Sequence, residues 1–251
     1  MFPIRDLNPT RIFPIVTVLI IGLNAGAFFW QGGGDDLELL YERAAIACEL
    51  TTGEPLTLQE IAEDRCIDGG SAPAEFPDKN VWLAGLLSMF LHGSLLHILG
   101  NMWFLWIFGN NVEEAFGSAG FVLMYLAAGI AATVAFVAAN PDSTVPLVGA
   151  SGAIAGVLGS YLVLFPTHRV LSWIMFFFIP VPAIIFLGFW FLTQQFLQAV
   201  EILVADRAVS PGFDPLPTSR FAHLRSPAVA ARVKVSSMQR SRISRSRPSV
   251  L

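Results

Sequence analysis

The chain has 251 residues, 54% of them hydrophobic and only 14% charged, with 21 Phe and a mean hydropathy of +0.62. Those values exclude an ordinary soluble domain and predict a polytopic membrane protein. The net charge of −4 hides a segregation: acidic groups gather in one loop and basic groups in the C-terminal tail, which leaves no basic face on the folded part for nucleic acid.

Met1 to Arg11 is a short polar lead, and Ile12 to Trp30 is apolar over about the length that a bilayer needs. That run is too long for a signal peptide, and no small-residue cleavage site follows it cleanly. Arg5 and Arg11 ahead of it predict a cytoplasmic N-terminus, with residues 32–80 outside. The outer loop opens on Gly32, Gly33 and Gly34 and carries twelve acidic residues against Arg43, Arg65 and Lys79. It also holds both cysteines, Cys48 and Cys66. In an oxidising compartment they can close one disulfide, with free thiols as the alternative; a metal site would want more ligands. Apolar positions between Leu37 and Ile61 predict a short surface helix.

From Val81 to Phe108 the chain is apolar again, but His92, His97, Asn101 and Met102 interrupt it. Residues 97 and 101 are one helical turn apart and share a face. Such polar groups inside a membrane are costly without partners, so the pair reads as functional, with interhelical hydrogen bonding as the competing explanation. Zinc is disfavoured, because no carboxylate or third histidine completes a set.

A turn over Asn110–Ser118 leads to a third span, Phe121–Ala139, and Asn140–Thr144 is a second turn. The fourth span, Val145–Phe165, has no formal charge and begins Gly149-Ala150-Ser151-Gly152. Glycines beside a serine let backbone N–H groups and a carbonyl approach closely, the logic of a nucleophile elbow. Gly152 and Gly156 also fit a GxxxG packing face, and this short motif alone favours packing. Thr167-His168-Arg169 is a polar loop, and His168 lies about 25 Å along the helix from Ser151, too far to be its base. Val170–Val204 is a fifth apolar stretch, which Pro180 and Pro182 should kink or break. Residues 206–251 then hold nine of the fifteen basic residues and no run of span length, so an ordinary sixth span is not expected.

Taken together, His92, His97, Asn101-Met102, Phe108-Gly109 and Glu113, followed by Gly149-Ala150-Ser151-Gly152, resemble the rhomboid intramembrane serine proteases. The likeness covers Met1 to about Val200, including Asn8-Pro9-Thr10-Arg11. It implies an all-α membrane helix bundle, with five spans here and an absent or degenerate sixth. Residues 1–205 would form the membrane domain and 206–251 an atypical basic tail. It further implies that Ser151 is the nucleophile, and that His97, Asn101 and the Ser151 backbone N–H form the oxyanion hole. His92 and Glu113 would be supporting residues, Gly149 and Gly152 would flank the nucleophile, and the fifth helix would act as a lateral gate. Rhomboids carry the base as a histidine on the sixth helix; the counterpart here is His223 in Phe221-Ala222-His223-Leu224, with Arg225, Ser226 and Ala230 where close-packing glycines would stand.

The expected activity is cleavage of transmembrane segments of other membrane proteins by a Ser151–His223 dyad, in a multi-pass protein of the plasma or inner membrane, without cofactor, metal or nucleic acid. The alternative is an inactive rhomboid-like protein that binds membrane helices, its sixth helix degenerate or replaced by a reading-frame change. A transporter is disfavoured, since no repeat relates the halves.

Overall fold

The computed structural model describes residues 1–34, 36–67 and 73–194, which form one compact unit, Met1–Gln194. The basic tail, and His223 with it, lies outside the described residues.

Helix α1 (Ile15–Trp30) follows strand β1 (Phe2–Asp6). The acidic loop, expected to lie outside, folds among its described residues as three short helices, α2 (Leu37–Arg43), α3 (Ala47–Thr52) and α4 (Leu58–Glu63), with strand β2 (Ala45–Ile46) between the first two. Its buried centre is Tyr41, Ile46, Cys48 and Leu56, and the Cys48 and Cys66 sulfurs are bonded at 2.01 Å. Burial pushes the Glu49 carboxyl up and the Lys79 ammonium down, and the two meet at 2.5 Å inside this segment.

The stretch expected to run from Val81 to Phe108 divides. Helix α5 (Val81–Leu87) ends at Ser88, and α6 (Leu95–Ala139) starts only after Ser94, whose hydroxyl accepts from His97 N at 3.2 Å and caps the new helix. Helix α6 has 45 residues and is the one described helix long and apolar enough to cross a membrane on length and composition. It is two arms joined at Gly117, whose φ of 70° and ψ of 160° lie outside helical space. The turn expected over Asn110–Ser118 is thus confined to one residue. The first arm, residues 95–116, rises about 33 Å, enough for a bilayer core.

The second arm packs on α7 (Ser151–Leu164) through small residues. A β-carbon on Gly152 would sit 2.5 Å from Ala132 Cβ, and one on Gly156 would overlap Ala128 Cβ. Close backbone approach of this kind is how membrane helices gain dispersion contacts without a hydrophobic driving force. The core between the arms and α7 centres on Phe108, whose ring meets Tyr161 edge-on at 5.0 Å and Phe186 at 6.2 Å.

Two small sheets depart from the all-α expectation. Strands β2 and β3 (Pro146–Leu147) pair antiparallel, Ala45 with Leu147 and Ile46 with Pro146, so the outer segment is hydrogen-bonded to the chain just ahead of Ser151. Strands β4 (Arg169–Ile174) and β5 (Phe177–Pro182) form a hairpin, and β1 joins it in the order β1-β4-β5. The fifth apolar stretch therefore becomes helical only at α8 (Ala183–Gln194). Pro180 and Pro182 do not kink a helix; they stand in an extended edge strand, where a missing backbone donor is tolerated.

Candidate active site

The fixed point of the site is the loop that joins β3 to α7. Gly149 has φ +120°, a conformation that L side chains rarely adopt, and its N–H donates to Ser88 O at 2.9 Å. Ala150 is fully buried and Ser151 opens α7, exposed at the surface of the described residues. The N–H groups of a helix's first turn have no partner within the helix, so the Ser151 end of α7 presents free donors and the positive end of the helix dipole.

His97 and Asn101 come to this loop from the first turns of α6. A β-carbon on Gly149 would lie 2.8 Å from His97 Cε1 and Nε2 and 3.6 Å from Asn101 Nδ2. Only a glycine lets the two side chains come so near the backbone before Ser151. Asn101 Nδ2 is buried and has no hydrogen-bond partner among the described residues. A buried amide donor without an acceptor is costly, and such an orphan beside a serine invites an incoming oxygen.

His92 stands behind His97, their rings edge to face with centroids 5.1 Å apart. It is wholly buried, and its Nδ1 lies 3.3 Å from Phe90 O. Its backbone is clamped from α1: His92 N donates to Gln31 Oε1 at 3.1 Å, and Gln31 Nε2 donates to His92 O. Gly34, at φ +90°, passes so close that a β-carbon there would stand 2.7 Å from His92 O. Gln31 and Gly34 thus hold the 88–94 loop from which α6 starts. Sequence reasoning did not single out Gln31, since nothing local marks a side chain that binds a backbone 61 residues away. Ser94 had a signal, a serine three residues before His97 at the head of an apolar run.

Glu113 is not in this site. It lies 16 residues beyond His97 in the same arm, about 24 Å along the helix. Its carboxylate accepts from Val16 N at 2.9 Å, Thr17 N at 2.8 Å, the Thr17 hydroxyl at 2.8 Å and the Ser118 hydroxyl at 3.1 Å. It therefore caps the start of α1 from the side of α6. Cys48, Cys66 and Glu60 also bring ligand-type atoms within 4.8 Å of one another. The two sulfurs are spent on each other, and Glu60 accepts from Thr57 and Ile67, so the trio is a fold element of the outer segment.

The family model for the Rhomboid domain matches residues 79–226, more than half of the chain. The chain is a rhomboid. It is accordingly an integral membrane protein of a family that acts on proteins within the bilayer. This rhomboid is 40% identical over 88 residues to rhomboid protease GluP of Bacillus subtilis, a match that takes in 35% of the chain and 17% of the relative. It is 37% identical over 86 residues to the human mitochondrial presenilin-associated rhomboid-like protein, covering 34% and 23%, and 38% identical over 76 residues to the chloroplastic rhomboid-like protein 11 of Arabidopsis thaliana, covering 30% and 27%. The matched part is thus about a quarter or less of each of these relatives. No solved structure matches the chain.

Proposed function

We propose that this rhomboid is a serine endopeptidase that cleaves transmembrane segments of other membrane proteins. Ser151 Oγ attacks the scissile carbonyl as His223 removes its proton, and the tetrahedral oxygen takes hydrogen bonds from Asn101 Nδ2, His97 and the Ser151 N–H. His223 then protonates the leaving amine, and water, activated by the same histidine, releases the acyl group from Ser151. Donors fixed before the reaction stabilise the developing oxyanion without having to reorganise, and in acyl transfer this commonly lowers the barrier more than any other single effect. The observation that carries the reading is the Asn101 amide, without a partner among the described residues and beside Gly149, two residues ahead of an exposed serine at a helix start. The family match also extends to residue 226 and so includes His223. The N-terminus is assigned to the cytoplasm on Arg5 and Arg11, which puts Ser151 toward the outer face.

A second reading, a rhomboid that binds membrane helices without cutting them, has its own support: nine basic residues fill 206–251, where a sixth span would be expected. The two separate in one experiment. Purified full-length protein in detergent micelles is incubated with a transmembrane substrate beside its Ser151→Ala and His223→Ala forms. Peptidase action predicts product from the parent chain and a loss of about 10³-fold or more in each variant. Binding of the substrate with no cleavage by the parent chain establishes the second reading.

A further inference from the structure

The β4–β5 hairpin is uncommonly apolar. Between Arg169 and Ala183 there is no charged side chain, and the one polar side chain, Ser172, is buried with its hydroxyl on Val170 O. Trp173, Met175, Phe176, Phe177, Phe178 and Ile179 are nevertheless 43–83% exposed.

Where these side chains lie relative to the bilayer follows from two contacts between β1 and the first arm of α6. Near the Glu113 end, Asn111 Nδ2 donates to Asp6 Oδ2 at 2.6 Å. Further along, the Trp103 indole N–H donates to Pro3 O at 2.8 Å, and its ring stacks on Phe2 at 5.8 Å. Residues 111 to 103 cover about 12 Å of helix, and residues 6 to 2 about 13 Å of strand. The strand therefore runs beside the arm from its polar end to its middle. Helix α8 follows the same scale, since Phe186 meets Phe108 and Trp190 meets Phe104 at 5.5 Å. Phe2 pairs with Trp173 and Trp173 with Phe178, so the turn at 175–176 lies a further residue or two along, about 3–7 Å. That is the depth of Gly100 and Asn101.

Open sheet edges are excluded from hydrocarbon because their backbone groups find no water there. Each edge of this sheet has fewer free backbone groups than an ordinary open edge. The β1 edge faces α6, where Trp103 satisfies Pro3 O. On β5, the Ala183 N–H donates to His168 O, so odd-numbered residues turn their backbone toward β4 and residues 178, 180 and 182 turn theirs outward. Two of those three are prolines without an N–H. Arg5 is the charged side chain on the sheet beyond the Asp6 level, and it is on β1, the strand against α6.

We propose that β4–β5 is a membrane-immersed hairpin whose tip, Met175–Phe178, contacts lipid acyl chains at the depth of Asn101. Its surface continues the exposed apolar faces of α6, at Leu99 and Trp106, and of α8, at Ile184, Ile185 and Phe189. Water is the rival occupant, drawn in by Arg5; a second copy of the chain is another. The proposal does not depend on turnover.

The test uses the full chain with Phe176→Cys, labelled with a small environment-sensitive fluorophore and reconstituted in phosphatidylcholine vesicles with or without bromine on mid-chain acyl carbons. Asp78→Cys, in the outer segment, is the reference. The expected result is at least twofold stronger quenching by brominated lipid at 176 than at 78, and little quenching by aqueous iodide. Iodide quenching at 176 equal to that at 78 would overturn the proposal, as would protection from both quenchers, the signature of cover by protein. Met175→Cys repeats the measurement if Phe176→Cys melts below the parent chain.

Discussion

The imidazole of His97 occupies the space that a side chain on Gly149 would take, with ring atoms 2.8 Å from the position of the missing β-carbon. Gly149→Ala therefore has two costs, a displaced histidine and a strained backbone at φ +120°. We expect peptidase activity to fall about 10²-fold, the scale of a lost oxyanion donor, with kcat affected more than KM. Cleavage of a transmembrane substrate, beside a thermal melt to check folding, measures it. Unchanged kcat would remove His97 from the reaction.

Glu113 receives four hydrogen bonds at the buried foot of α1. Glu113→Gln removes the charge and turns amide donors toward backbone N–H groups. The loss should be about 3 kcal/mol, a fall in Tm of roughly 10 °C for a chain of this size. Thermal unfolding in detergent reads the change directly, and the site about 24 Å away along α6, by helical rise, should keep its KM in protein that stays folded.

Gly156 and Ala128 leave no room for one more methyl between α7 and α6. Gly156→Ala should cost about 1–3 kcal/mol by overpacking. Adding Ala128→Gly to the same chain should return at least half of that, because the clash and its relief are one contact. Additive destabilisation in the double variant would mean that the helices do not meet there.

In the outer segment, burial opposes ionisation of Glu60, but hydrogen bonds from the Thr57 N–H, Ile67 N–H and Thr57 hydroxyl outweigh it and hold the carboxyl below its ordinary value of 4.5. A carboxyl depressed on folding stabilises the fold above its unfolded value, and that contribution disappears as pH falls through the folded value. Amides of α3 and α4 should then lose exchange protection below about pH 4, after correction for intrinsic rates. Glu49, pushed up by burial, has the opposite slope at higher pH, so the difference between the parent chain and Glu60→Gln isolates Glu60.

Much of this was legible in the residues because membrane periodicity is a strong signal. His97 and Asn101 stand one turn apart, and that spacing alone places them on one face; the glycines around Ser151 announce a backbone that something approaches. The extended hairpin was not legible. A run such as Val170–Ile179 is apolar enough for either a helix or a fully buried strand, and periodicity cannot separate them. The prolines at 180 and 182 argue against an unbroken helix without marking a strand, and the pairing with β1 that decides the matter is contributed by residues more than 160 positions away. The Gln31 clamp on His92 was invisible for the same reason: its partner is a main-chain group, and every residue has one.

The short ladder between Ala45–Ile46 and Pro146–Leu147 makes the disulfide-bonded segment a splint for the loop that leads into Ser151. Whatever loosens the cap, whether reduction of the Cys48–Cys66 bridge or a protease acting on the exterior, slackens the strand that delivers Gly149 and Ser151 to α6. On the proposed reading of Ser151, the redox state of that bridge thereby gains a mechanical line to the reaction.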